Sequence, residues 1–246
     1  MTTQDQLGPE QELLDRTAIG TERRVGLKSP ELATHEASNG PGCKIDLILH
    51  GPLTQILTLL RERGVLLQAD ANQPSVATLV AGGPVRGSWW GHAAGAQIYA
   101  VLGLLEDHAD ALSTRLLDGK VTYVHRRLWP ALMAVGQAGL PWQLAGLKPS
   151  ATELWQQTTA AGELPLAGRK GVGEAATDLE RRLLVVGRQV HTEAGHHARI
   201  LTTWSRWQAQ VGQVAADIDV AAAQAQLAAA AGESKVPWQS SGRMRA

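Results

Sequence analysis

The sequence lacks phenylalanine altogether and holds one cysteine and two tyrosines among its 246 residues. The single thiol, Cys43, excludes an internal disulfide framework and a cysteine-based zinc site. No apolar run is long enough to cross a bilayer, and the N-terminal stretch has acidic residues where a secretory signal would have basic ones. These absences predict a cytoplasmic protein with no membrane partner.

No charge of one sign prevails, since 23 Lys and Arg balance 23 Asp and Glu. A neutral chain produces no global field, which argues against tail-driven binding of a polyanion. Residues 85–210 nevertheless hold 13 Lys or Arg against 10 Asp or Glu, so a local basic surface is still expected. The eight Trp supply most of the aromatic residues, and most of them are expected to anchor the core or an interface.

Five segments are expected along the chain. Residues 1–45 and 233–246 mix charge with Gly, Pro, Ser and Thr, which predicts two disordered tails, the first with a short helix near residues 9–17. Residues 46–140 and 141–210 are expected to form two similar units. The Ala-rich residues 211–232 predict a C-terminal helix.

The first unit is predicted to begin with a helix, because its apolar residues follow the helical spacing. These residues are Leu53, Ile56, Leu57 and Leu60. A Gly turn, a short apolar strand, a short helix and a longer third helix over Ala93–Asp107 are expected next. Two strand-like runs then flank Asp118-Gly119, and Asp-Gly is typical of a two-residue hairpin turn.

The second unit is predicted to begin with a helix in which Ser150 and Glu153 match a capping box. A Gly-turned strand, a turn and a third helix over Glu174–Val186 follow, and two β-compatible runs surround a turn at Ala194-Gly195. The shared order predicts an α+β fold of tandem winged-helix units, each a helix-turn-helix with a β-hairpin wing. A mixed α+β domain whose hairpins bind nothing is the alternative.

Basic residues collect around the two hairpins, where they could neutralise phosphates of double-stranded DNA. The residues near the first hairpin are Arg115, Lys120, Arg126 and Arg127, and those near the second are Arg181, Arg182, Arg188 and Arg199. The alternative is that they belong to the solvated faces of an ordinary domain.

The segment RGSWWGH, from Arg86 to His92, places Trp89 and Trp90 side by side before the third helix. Together with Arg86 and His92, the two indoles predict a wedge or stacking platform, which suits a protein that unstacks or flips a base. The alternative is a hydrophobic staple that only packs against the helix.

Residues 190–204, VHTEAGHHARILTTW, hold Glu193 between His191 and the pair His196 and His197. These residue types would suit zinc or iron. The spacing fails the His-Glu-x-x-His pattern, however, and a hairpin tip holds ligands poorly. No P-loop and no serine-nucleophile motif is present either. We therefore expect no metal and no cofactor, and we expect His191 and His196 to contact phosphate, which favours the protonated imidazole.

Two fragments, Gln68-Ala69-Asp70 and Trp90-Gly91-His92, resemble motifs of the bacterial winged-helix DNA glycosylases that excise alkylated or crosslinked bases. The resemblance covers about a tenth of the chain. It implies catalytic roles for Asp70 and Gln68, which would activate a water or stabilise the cationic sugar as the base departs. The stretch from Gly87 to Leu132 is also similar to a bacterial protein family, and that resemblance implies no activity.

Three hypotheses follow for the function. The first is a tandem winged-helix protein that binds double-stranded DNA in repair or regulation. The second is a DNA glycosylase that uses Asp70 and Gln68. The third is a module that binds another protein through its winged helices, which the neutral net charge permits. The sequence leaves the oligomeric state open.

Overall fold

Two small antiparallel sheets organise the part of the chain that a computed structural model describes, residues 41–191, 197–212 and 217–240. Each sheet has three strands, and in each the strand that comes last along the chain lies in the middle. Helices pack around both sheets, so the expected α+β class is confirmed. All of the described residues belong to one compact unit.

The first sheet and its helices occupy the N-terminal half of the described chain. They are α1 (Pro41–Arg63), β1 (Val65–Leu67), α2 (Val76–Ala81), α3 (Gly95–Glu106), β2 (Ala111–Leu117) and β3 (Lys120–His125). A single 3-10 turn, Trp89–Gly91, precedes α3. Asp118 and Gly119 have φ values of 50° and 67°, which are the positive angles that a two-residue hairpin turn needs. The predicted hairpin is therefore confirmed.

A 3-10 turn, Arg126–Leu128, leads from the first sheet to the remaining elements, which include the second sheet. They are α4 (Trp129–Gln137), α5 (Pro141–Leu144), α6 (Pro149–Ala161), β4 (Glu163–Pro165), α7 (Gly173–Arg181), β5 (Val186–His191), β6 (His197–Thr202), α8 (Trp204–Gln210), α9 (Val220–Ala231) and α10 (Pro237–Ser240). The hairpin of β5 and β6 has the predicted position, and its turn at Ala194-Gly195 lies outside the described residues.

Two expectations about helix boundaries in the second unit are wrong. The first residue of α6 is Pro149, and Lys148 is its N-cap, because proline is well suited to the first helical position. Ser150 therefore lies inside the helix and forms no capping box with Glu153. The helix predicted over Glu174–Val186 ends at Arg181, since Leu183, fully buried in the core, has a positive φ of 54° that no α-helix accommodates.

The predicted shared order is also incomplete, because no helix forms in residues 166–172, between β4 and α7. We call each sheet with its helices a set. The first set has a second helix, α2, at the corresponding place. Ser75 caps α2 by accepting the backbone N–H of Thr78 at 3.3 Å. Gly168 and Gly171, both at positive φ, occupy the equivalent stretch of the second set and favour turns there.

The predicted tails are shorter than expected. Helix α1 already begins at Pro41, and residues 1–40, with the helix expected near residues 9–17, lie outside the described residues. The segment 233–240 is ordered, because Val236 is fully buried and Trp238 packs against the same core. The Ala-rich helix starts at Val220 rather than at residue 211.

The buried apolar residues form three clusters. One cluster lies among α1, α2, α3 and the first sheet, and another lies among α6, α7 and the second sheet. The third cluster is central, and it combines Trp129 of α4 with Trp204 and Trp207 of α8 and Leu227 of α9. The central cluster also contains Leu116 and Val124 of the first sheet and Val186 of the second, so it joins the two sheets.

Candidate functional site

A cavity of about 430 Å³ opens between α3 and β2 of the first set and α7, β5 and β6 of the second. This size falls within the range of ligand pockets, roughly 300–1,000 Å³. We call it the aromatic cavity. The residues with functional side chains that line it are Gln68, Trp89, Trp90, Tyr99, Glu106, Ser113, Arg115, Tyr123, Glu180, Arg188 and Arg199.

Aromatic rings form one side of the cavity. The indoles of Trp89 and Trp90 are stacked, with ring centroids 4.1 Å apart and planes 22° from parallel. The ring of Tyr99, on α3, follows at 5.5 Å from Trp90. Trp89 is partly buried against the apolar cluster of α1, α2, α3 and the first sheet, while Trp90 is 66% exposed. Only Trp90 therefore presents an indole to solvent, where a flat ligand could stack on it.

The carboxyl of Glu106 lies on the floor of the cavity. Its Oε1 accepts the hydroxyl of Tyr123 at 3.1 Å, and its Oε2 accepts the hydroxyl of Ser113 at 3.0 Å. The residue stays exposed toward the open side of the cavity, yet surrounding protein atoms desolvate its carboxyl. This desolvation, with the nearby charges of Asp107 and Glu180, raises the pKa of Glu106 against the opposing effect of the two hydrogen bonds.

A buried ion cluster forms the opposite wall. Glu180 of α7 is 7% exposed and accepts the Nε of Arg115 at 3.0 Å and the Nε of Arg199 at 2.7 Å. Arg199 also donates to the hydroxyl of Thr177 at 3.2 Å. A Cβ at Gly187 would overlap the Glu180 carboxylate, so β5 needs glycine at this point. The cluster fixes α7 and the second hairpin against β2.

The two residues predicted as catalytic lie in different environments. Gln68 lines the aromatic cavity, whereas Asp70 is not among the lining residues. Asp70 Oδ1 accepts the backbone N–H groups of Asn72 at 2.8 Å and Gln73 at 3.0 Å, and its Oδ2 binds Lys120 Nζ at 2.6 Å. The hydrogen bond from Lys120 is the main cause of a lowered pKa for Asp70. These contacts anchor a turn and leave the carboxylate 8% exposed.

Most of the cations predicted to bind phosphate are already paired with carboxylates. Besides Arg115 and Lys120, the pairs are Arg126 with Asp110 at 3.2 Å, Arg182 with Asp178 at 3.0 Å, and Arg188 with Glu163 at 3.7 Å. Arg182 also donates to the carbonyl oxygens of Trp142, Gln143 and Ala145. These pairs leave few of the predicted cations free for a polyanion.

Three predicted cations have no carboxylate partner within the part of the chain described. Arg127 donates to the backbone oxygen of Glu62 at 3.0 Å, and Arg181 donates to that of Gly119 at 3.4 Å. Arg86 is exposed and makes no hydrogen bond with the described residues. These three guanidinium groups are therefore the available phosphate contacts among the predicted set.

Two of the histidines predicted to contact DNA, His92 and His191, lie within the described residues. His92 accepts the backbone N–H of Ala94 through Nδ1 at 3.1 Å, just beyond the tryptophan pair. His191 is the last residue of β5 and pairs with His197 across the hairpin. His196 and Glu193 lie outside the described residues. Over the described ranges no group of three or more His, Cys, Asp or Glu could hold a metal ion.

The turn of the first hairpin contacts the protein itself. The backbone N–H of Asp118 donates to Lys235 O at 2.8 Å, and Asp118 Oδ1 accepts the N–H of Lys235 at 3.3 Å. The side chain of Arg181 lies against Gly119. Helix α3, one of the two helices expected to dock into DNA, has no Lys or Arg and ends at Glu106. The hairpin turn contacts the protein itself and α3 has no cations, so neither element matches the expected phosphate-binding surface.

The residues that sequence reasoning missed are Glu106, Ser113, Tyr123 and Glu180. Tyr99 and Glu106 are seven residues apart and share a face of α3, a pattern that is visible in the sequence. The contacts of Glu106 with Tyr123 and of Glu180 with Arg115 are not, because they join positions 17 and 65 residues apart along the chain.

No family model, no curated protein and no solved structure matches this chain. Among the described residues, no helix combines the length and the apolar character that a membrane span requires.

Proposed function

We propose that this protein is a tandem winged-helix protein that binds DNA and takes one unstacked base into the aromatic cavity. The arrangement of each sheet supports the winged-helix interpretation. A helix precedes the first strand, one or two helices follow it, and a hairpin then adds the last two strands in the order β1-β3-β2 or β4-β6-β5. The first set has the element order that the sequence led us to expect of a helix-turn-helix with a wing, and the second set lacks its middle helix.

The observation that carries the proposal is the cavity itself. It brings Gln68, Trp89 and Trp90 to one place together with Glu106. An indole stack beside hydrogen-bonding groups suits a flipped base, which is held by stacking and by polar contacts to its edge. A base that stacks on an aromatic side chain gains about 1–3 kcal/mol, and Trp90 has the exposed ring that such stacking needs.

The unpaired cations determine how strongly salt should affect binding. Each neutralised phosphate changes the slope of log K against log salt by about −0.9. With only Arg86, Arg127 and Arg181 available among the predicted cations, the slope should be about −3. A full set of wing contacts would give a slope more than twice as steep. The proposed complex therefore depends on the cavity more than on the phosphate backbone.

Fluorescence anisotropy with two labelled duplexes tests this proposal. One duplex is fully paired, and the other has a single bulged base. The wild-type protein should bind the bulged duplex more tightly, and Trp90→Ala should weaken that binding by about tenfold through lost stacking. Leu104→Ala is the matched control, since Leu104 is exposed on α3 but does not line the cavity. Equal affinity for both duplexes would contradict the proposal.

A second candidate function is DNA glycosylase activity, which the position of Gln68 in the cavity favours. If the protein excises a base, incubation with alkylated duplex DNA should produce abasic sites, and Gln68→Ala should reduce them. Because Asp70 is occupied by Lys120 and two backbone groups, Asp70→Asn should affect stability more than excision. Loss of excision in Asp70→Asn at full stability would restore Asp70 as the catalytic group.

A further inference from the structure

The hydrogen bonds of Glu106 leave a defined pattern of acceptors in the cavity. An ionised carboxylate offers about four acceptor positions, two on each oxygen. Tyr123 occupies one position on Oε1, and Ser113 occupies one on Oε2. One acceptor position therefore remains on each oxygen. Such a pair fits two parallel N–H donors, as in the fork-like pairing of a carboxylate.

No cation among the described residues takes up these two positions. Arg115 and Arg199 both bind Glu180, and Arg188 lies toward Glu163. The described partners of Glu106 are the neutral hydroxyls of Tyr123 and Ser113. The carboxylate thus lacks an ion-pair partner among the described residues, and Glu106 is exposed and lines the cavity, where a ligand can reach it.

The spacing along α3 leaves room for a ring between the aromatic side and Glu106. Tyr99 and Glu106 both line the cavity and are seven residues apart, about 10 Å along the helix axis. Gly103 lies between them, and even a Cβ added there would meet no atom within 4 Å. The face of α3 between Tyr99 and Glu106 is therefore open to a flat ring bound in the cavity.

We propose that Glu106 makes the aromatic cavity selective for guanine over the other bases. Guanine alone among the standard bases presents two adjacent N–H donors, at N1 and at the 2-amino group. Adenine and cytosine place an acceptor beside their amino group, and thymine has a single donor between two carbonyl groups. A mismatched edge would place an acceptor against the carboxylate or leave one of its oxygens without a donor in the complex, which costs binding affinity. This inference rests on the proposed binding of an unstacked base.

Duplexes that differ only in one bulged base test the selectivity. The probes have guanine, hypoxanthine, adenine or thymine in the bulge, and anisotropy gives the affinity of the wild-type protein for each. Guanine should bind about tenfold more tightly than adenine or thymine, since a well-formed bidentate contact discriminates by about that factor or more. Hypoxanthine, which lacks the 2-amino group, should lie between them.

A variant then assigns the selectivity to the carboxylate. Glu106→Gln should bring guanine and adenine within about twofold, because an amide offers one acceptor oxygen and one donor nitrogen. Glu62→Gln is the control, since Glu62 is an exposed glutamate on α1 outside the cavity, and it should keep the preference. In the wild type the preference should weaken as the pH falls and Glu106 takes up a proton.

The outcomes separate this inference from the proposed function. Tighter binding of all four bulges than of paired DNA, without preference for guanine, would overturn the guanine inference and leave base binding intact. Equal binding of bulged and paired duplexes would overturn the proposed function itself. The wild-type series decides between these outcomes without any variant, so a poorly folding Glu106→Gln protein does not prevent the test.

Discussion

One face of the first sheet packs against α1, α2 and α3 and its other face joins the central cluster, whereas the second sheet packs mainly against α6 and α7. Both sheets have the same strand order. The edge strands β2 and β5 contact each other, so the aromatic cavity lies where the two sets meet. The comparison teaches that a repeated strand order produces one composite site rather than two equivalent ones.

The two sets contribute different chemistry to that site. The first set supplies the aromatic rings and the Glu106 carboxyl, and the second supplies Glu180 and Arg199. Glu180 links the sets, because its partners Arg115 and Arg199 come from β2 and β6. The ion cluster around Glu180 therefore connects the two sets, while Glu106 has acceptor positions left for a ligand.

The largest expected effect on stability follows from breaking the ion cluster around Glu180. Glu180→Gln should lower the free energy of unfolding by about 3 kcal/mol, because removing one member of a buried ion cluster leaves its partners uncompensated. Chemical denaturation followed by tryptophan fluorescence measures this change. The substitution should also loosen the second hairpin against β2 and raise hydrogen exchange in β5.

Glu174→Gln is the matched control for that experiment. Glu174 lies on the same helix, α7, and pairs with Lys148 at 2.6 Å, but both side chains are mostly exposed, by 82% and 67%. Exposed pairs contribute little to stability, so this variant should unfold like the wild type. If both variants unfolded alike, the ion cluster would not be what connects the two sets.

A smaller effect is expected at the turn of the first hairpin. Gly119→Ala should destabilise the protein by about 1–2 kcal/mol, because an L-residue is strained at positive φ and the new Cβ would lie 3.2 Å from Nε of Arg181. Thermal unfolding compares it with Gly168→Ala in the second set, where φ is also positive but no atom lies near. Equal losses would mean that the contact between Gly119 and α7 adds nothing.

The smallest effect concerns the ion pairs within each set. Asp70→Asn should cost about 0.5–1 kcal/mol and Glu163→Gln less, since Asp70 lies 2.6 Å from Lys120 while Glu163 lies 3.7 Å from Arg188. The pKa of Asp70 is lowered in the folded protein. Its contribution is therefore present above the unfolded pKa of about 3.9 and is lost as the pH falls through the folded pKa.

Urea denaturation of both variants at neutral and at acidic pH measures these differences. Asp70→Asn and the wild type should differ at neutral pH and converge in strong acid. A difference that persists unchanged in acid would show that the Asp70 charge is not what stabilises the turn.

Local signals in the sequence predicted the local structure well. Asp118-Gly119 indicated a hairpin because few residue pairs adopt positive φ at low cost, and the helical spacing from Leu53 to Leu60 marked α1. The predicted helix boundaries were wrong where tertiary packing determined where the helix ends. Leu183 adopts a positive φ because its side chain fills the central core, and no local preference of leucine reveals that.

The candidate site was predictable only in part. Trp89, Trp90 and Gln68 drew attention through their residue types, and all three line the cavity. The cations near the hairpins drew attention for the same reason, but residue type alone does not show whether an arginine faces solvent or a carboxylate. Arg115 and Glu180, 65 positions apart, show that pairing over such distances depends on the fold.

By itself the sequence determined the α+β class, the two hairpins and the aromatic segment before α3, because turn chemistry and residue spacing act over a few residues. Only the tertiary structure decided which charges are paired and which acid lines the cavity. Asp70 binds Lys120 and two backbone groups, while Glu106 keeps an acceptor on each oxygen. The difference arises because burial and partners, rather than residue type, determine whether a carboxylate supports the fold or meets a ligand.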